Sequence, residues 1–98
     1  MKFDGFDWDE GNRSKCCKHG VSVAGIEFVL ENPDYVSDDP FHSIHEQRFI
    51  AVGLGPEGRV TFVAFTVRKL DEVVLLRPVS ARYMHEKEFR RYVGKKRD

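Results

Sequence analysis

Ninety-eight residues, 41% of them hydrophobic and eight of them phenylalanine, suffice for one packed core, and a single domain is expected over residues 1–98. No apolar run approaches the ~20 residues of a membrane-spanning helix. The acidic start MKFDGFDWDE lacks the marks of a signal or transit peptide, so the chain is expected to act in the cytoplasm with no membrane partner.

The zero net charge conceals an asymmetry. Residues 1–76 carry 8 Lys/Arg against 13 Asp/Glu, whereas residues 77–98 carry 8 against 3. A basic end on a neutral chain forms a local patch, and such patches select partners. In chain order, Asp9 is placed to cap a short helix over residues 10–18, which Gly20 stops. Adjacent Cys16 and Cys17, the only cysteines, read as two reduced thiols in that helix. Ser22 caps a second helix over residues 23–31, with Val23, Ile26 and Leu30 on one stripe, and Asn32-Pro33 ends it.

Strands follow. Residues 35–37 are a short candidate, and residues 38–45, with Pro40, read as a polar loop. A strand is predicted over residues 48–54, a Gly-Pro turn over 55–58, and a central strand over 60–67, which is apolar on both faces. Residues 68–71 read as a turn, 72–80 as the last strand and 82–93 as a final helix. Short connections imply an antiparallel meander of three or four strands. The predicted architecture is α+β: two N-terminal helices, the sheet and a C-terminal helix, with the helices covering one sheet face.

The last helix carries an odd inner stripe. At 100° per residue, Arg82, His85, Phe89, Tyr92 and Val93 share an arc, so Arg82 and His85 are expected to face the sheet. A buried arginine keeps its charge and needs a partner. Either Glu46 meets it, with Ser80 as an ordinary N-cap, or a cleft there receives an anion, with Ser80 and the helix-start amides as further donors. A second cluster lies at HEQRF, where alternation places Glu46 and Arg48 on one face. Arg77 interrupts the apolar face of Val73, Leu75 and Val79, and Arg68 ends the central strand. Arg48, Arg68, Arg77 and Arg82 thus gather on or beside a small sheet, which points to phosphate binding.

In this order, WDE, KHGVS (residues 18–22), HEQRF, VTFVAFTVR and LLRPVSARYMHEKE make residues 6–92 resemble the BrnT toxins. That resemblance implies a RelE-like fold and a ribonuclease that halts translation. It implies RNA as substrate, a BrnA-type antitoxin as partner, and operator DNA engaged only through that antitoxin. Two departures stand out. Pro78 removes a ladder N–H, so the strand is expected to be at an edge or bulged there. Phe65 replaces a tyrosine common in the family, removing a hydroxyl expected to help orient substrate.

RNA supplies its own nucleophile, the 2′-hydroxyl, so no cofactor or metal is expected. The protein must move two protons and stabilise a phosphorane. Arg48 and Arg82 are assigned to transition-state charge, with Arg68 and Arg77 as backbone holders. Candidate proton carriers are Glu46, Lys18, His19 and His85. Glu46 is favoured, against the alternative that it only orients Arg48, and His19 has the alternative of capping its helix. His42 and His45 form an HxxH pair without a third ligand spacing, a weak metal signal. For the antitoxin, an acidic tail over the basic cleft is favoured over a basic tail on the acidic half.

Overall fold

The computed structural model describes residues 2–97, so Met1 and Asp98, the two ends of the expected domain, lie outside the described residues. The capping signals act as the sequence predicts. The Asp9 carboxylate accepts from the Asn12 amide at 2.9 Å, and the Asn12 side chain accepts from the Asp9 amide at 2.7 Å. They open α1 (Glu10–Cys16). The expected helix over 10–18 changes pitch after Cys16, and Cys17–His19 close it as a 3-10 turn. Gly20, at φ 93°, then takes the left-handed conformation that ends it. Ser22 caps α2 (Val23–Glu31), accepting from Gly25 N at 3.0 Å. Burial pushes the Cys16 thiol up to about 11, with Cys17 adding to the shift; a protonated thiol in the core is an inert packing group.

The sheet has five strands in the order β1-β5-β4-β3-β2. These are β1 (Gly5–Phe6), β2 (Tyr35–Asp38), β3 (Arg48–Leu54), β4 (Val60–Leu70) and β5 (Val73–Tyr83). The expected antiparallel meander covers β2 to β5, but β1 pairs with β5 in parallel, through Gly5–Leu75 and Phe6–Leu76, so the sheet is mixed. Two residues have no periodicity to read, which is why β1 escapes the sequence pattern. The turn predicted over 68–71 is tighter than expected. Pairing runs to Leu70–Val73, leaving Asp71 and Glu72 to reverse the chain with Asp71 at φ 57°. Pro78 sits as predicted for a proline in a ladder: Phe65 pairs Pro78 and Ala64 pairs Ser80, leaving Val79 as the extra residue of a bulge.

Two corrections concern the C-terminal half. β5 continues to Tyr83, and the helix α3 begins only at Glu86 and runs to Arg97. Beyond Ser80 the alternation persists, Ala81 being buried and Arg82 partly exposed, and that pattern favours strand over helix. Arg82 and His85 therefore do not belong to the inner stripe of a helix, and Ser80 is a mid-strand residue rather than an N-cap. The helices also occupy both sheet faces, not one. Cys16, Val21, Ile26, Val29 and Leu30 pack on Ala51, Val63, Phe65, Leu76 and Ala81. α3 lies on the opposite face across β2 and β3, where Tyr92 meets Tyr35 with ring centroids 5.3 Å apart.

Phe65 is 1% exposed and stacks on Phe49 at 5.6 Å. Phe65→Ala is expected to cost about 3–5 kcal/mol, read as a lowered urea midpoint with an unchanged slope. The Asp9 carboxyl is held below the usual carboxylate range by the Asn12 amide first and by Arg77 second. A depressed folded-state value stabilises the fold above the unfolded pKa and is lost as pH falls through the folded one. The gap in urea midpoint between wild type and Asp9→Ala is thus expected to be widest at neutral pH and to close in acid.

Candidate functional site

Strand register sorts the charged side chains. Arg48 pairs Thr66, and Thr66 pairs Arg77, so these three form one row across β3, β4 and β5. The next rows on that face are Ile50–Ala64–Ser80 and Val52–Phe62–Arg82, and Arg68 lies one row the other way. Because opposed residues share a face, Arg48, Arg68, Arg77, Arg82 and Ser80 all stand on the face away from α1 and α2. Neighbouring strands are about 4.8 Å apart, which puts the Arg48 and Arg77 backbones about 10 Å apart with Thr66 between them. Arg82 lies two rows further on, about 13 Å along the strand direction. Arg48 and Arg82, expected to act together on one phosphate, are therefore not neighbours.

Their partners differ as well. Arg77 is tied to Asp9 at 2.9 Å and Asp7 at 3.5 Å. Arg82 makes two hydrogen bonds to Glu88, at 3.2 and 3.1 Å, with its guanidinium 4.6 Å from the Phe62 ring centre. That contact, ahead of Arg91 and His85, holds the Glu88 carboxyl below its ordinary range. The sequence offered Glu46 as the partner of Arg82 or Arg48. Glu46 instead lies in the bend before β3 and meets Arg68 at 3.6 Å, with both side chains more than 40% exposed. Arg48 has no ion pair among the described residues.

The remaining candidates scatter. Lys18 and His19 are exposed in the turn after α1, on the core-side layer, with the sheet between them and the arginines. His85 is exposed just before α3, where its carbonyl accepts from Phe89 N at 3.0 Å; it neighbours Arg82 and Glu88, not Arg48. Phe65 points into the core, so the hydroxyl absent at that position belongs to the face opposite the arginines and not to a substrate surface.

Sequence reasoning passed over Thr66. It is 3% exposed, and its Oγ1 is buried with no hydrogen-bond partner among the described residues. Leaving such a group unsatisfied costs about 1–3 kcal/mol. Thr66 and Arg48 line one groove of about 360 Å³, lined also by Val79 and by Phe41, His42, Ile44, His45 and Glu46. An unsatisfied hydroxyl beside an unpaired guanidinium is a donor set for an oxyanion. The signal was present in FTVR, since alternation puts Thr66 and Arg68 on one face. Among the described residues, no three His, Cys, Asp or Glu side chains cluster to hold a metal ion, and no helix is long and apolar enough to cross a membrane.

No curated protein matches the sequence significantly. The model of the family described as the ribonuclease toxin, BrnT, of type II toxin-antitoxin systems matches residues 8–88. That span contains all four arginines, Thr66 and the residues that wall the groove. The chain belongs to the BrnT family of type II toxin–antitoxin ribonuclease toxins.

Proposed function

We propose that this single domain is a metal-independent endoribonuclease that cleaves RNA by attack of the 2′-hydroxyl on the adjacent phosphate, and so inhibits translation in the cytoplasm. The observation that carries the reading is the Arg48 guanidinium, without an ion pair among the described residues, beside the unpartnered Thr66 hydroxyl on the floor of one groove. A phosphodiester seated there gains charge on its non-bridging oxygens as the phosphorane forms. A fixed guanidinium stabilises that charge more than it stabilises the ground state, by about 3–4 kcal/mol in comparable sites, and a neutral hydroxyl donor adds about 1 kcal/mol. Arg68, loosely paired and exposed, is suited to a neighbouring backbone phosphate.

Arg77 and Arg82 are reassigned. Two carboxylates on Arg77 and the bidentate Glu88 on Arg82 support a role in tying β1 and α3 to the sheet and shaping the groove field. Glu46 lines the groove, but its pairing with Arg68 supports an orienting role. Ser80 and His85 flank Arg82 as secondary RNA contacts, whereas Lys18 and His19 have no place in the groove.

The partner is a BrnA-like antitoxin, with operator DNA reached only through it. The fit is best for an acidic segment lying over Arg48 and Arg68, which would exclude RNA directly. A second reading, a non-catalytic RNA- or antitoxin-binding module, is favoured by one observation: three of the four arginines already hold carboxylates.

Purified wild type is expected to cut single-stranded RNA in excess chelator, leaving 2′,3′-cyclic phosphate ends. Arg48→Ala is expected to lower kcat/KM by about 100–1,000-fold with the fold intact by circular dichroism. Thr66→Val is expected to lower it by about 10-fold, as loss of one neutral donor. A wild type that binds RNA without cutting it and is harmless on expression supports the module instead.

A further inference from the structure

The 3-10 turn Pro40–His42 and the bend over residues 44–46, which wall the groove, carry chemistry that the ribonuclease reading does not use. The His42 Nδ1 lies 2.9 Å and 3.1 Å from the two carboxylate oxygens of Asp39, which is 8% exposed. An ionised carboxylate only accepts, so Nδ1 carries the proton, and the neutral ring keeps its lone pair on Nε2.

Asp39 is itself stitched to the first residue of β3. Its amide donates to the Arg48 carbonyl at 2.8 Å. Ser43 Oγ donates to the Asp39 carbonyl at 2.6 Å while accepting from the Arg48 amide at 2.9 Å. The His42–Asp39 pair is thus held in register with the one sheet arginine that lacks an ion pair among the described residues. The titratable and charged groups facing the groove are His42, with Asp39 behind it, and His45, Glu46 and Arg48. On its rim Phe41 is 87% exposed and Ile44 84% exposed. The sequence reads this segment as a polar loop with a weak HxxH metal signal, yet exposed apolar faces beside a guanidinium suit unstacked bases.

We propose that His42 is the proton-accepting residue of the groove, its ring oriented by Asp39, with RNA seated between Arg48 and Phe41. This rests on the ribonuclease reading. His42 Nε2 takes the proton of the 2′-hydroxyl as the O2′–P bond forms. The P–O5′ bond breaks, and the departing 5′-oxygen takes a proton from water. The products are a 2′,3′-cyclic phosphate and a 5′-hydroxyl, and the imidazolium returns its proton to the hydroxide left in solvent. Asp39 is a positioning residue that fixes the tautomer.

The test measures cleavage of a short RNA by the full chain across pH 4–9 (roughly the window in which histidine titrates). His42→Ala is expected to lower kcat by about 100-fold or more with KM little changed, to lose the acid-side fall in rate, and to regain activity with added imidazole. Asp39→Asn is expected to lower kcat and displace that acid limb, which a purely structural role would not do. If wild type and His42→Ala cut alike while Arg48→Ala is inactive, the ribonuclease reading stands and the His42 assignment falls. Loss of activity in His42→Ala without imidazole rescue, with the wild-type acid limb retained in Asp39→Asn, also overturns it. A wild type that cuts no RNA overturns both.

Discussion

Alternation along β4 is the constraint on which the rest of this molecule depends. On one face Val63 and Phe65 pack against α1 and α2; on the other, Thr66 stands in one row with Arg48 and Arg77, and Arg68 one row beyond. β4 is the middle strand, bonded on both sides, so its side-chain directions are transmitted to β3 and β5 by register. The hydrophobic layer fixes the phase of the sheet, and the charged layer inherits it. A groove floored by Thr66 is therefore positioned by the same packing that stabilises the fold.

The arginine face is also where separate parts of the chain are drawn together. Asp7 and Asp9 come from the segment joining β1 to α1, Glu46 from the bend before β3, and Glu88 from the first turn of α3. Surface pairs of this kind each contribute little to stability, on the order of 0–1 kcal/mol. Their effect is to decide which guanidinium is available. Three are engaged, Arg68 only loosely, and Arg48 is left beside an unsatisfied hydroxyl. Which guanidinium on this face remains without a carboxylate thus depends on the acids that occupy the other arginines.

Much of this was legible in the residues. Asp9, Gly20 and Ser22 mark their helix ends because capping is a local interaction between neighbours in sequence. The strands over 48–54 and 60–67 follow from β-branched and aromatic runs on either side of the Gly-Pro turn at 55–58. Pro78 announced its bulge because a missing N–H is a property of the residue itself. What was not legible is long-range or compensated. The segment from Ala81 to Tyr83 fits a helical stripe as well as a strand, and only cross-strand pairing with β4 decides it. Two-residue β1 exists because β5 offers it an edge. The acids chosen by Arg68, Arg77 and Arg82 depend on which chain segments meet in space, and Thr66 looked like an ordinary strand threonine until its surroundings showed nothing to bond.

The extra residue at Val79 has a further consequence. Upstream of it Pro78 faces the core layer; downstream, Ala81 and Tyr83 do so, and Arg82 faces out. Without that one-residue offset the parity of the strand's last third would invert, sending a guanidinium into the oily side and an alanine outward. Deleting Val79, by contrast, would leave Pro78 and Ser80 consecutive opposite the consecutive Phe65 and Ala64, so both layers would keep their phase, whereas a deletion elsewhere in the strand that left the bulge in place would shift it. A gap of one letter at the bulge is therefore the length change that this strand can absorb.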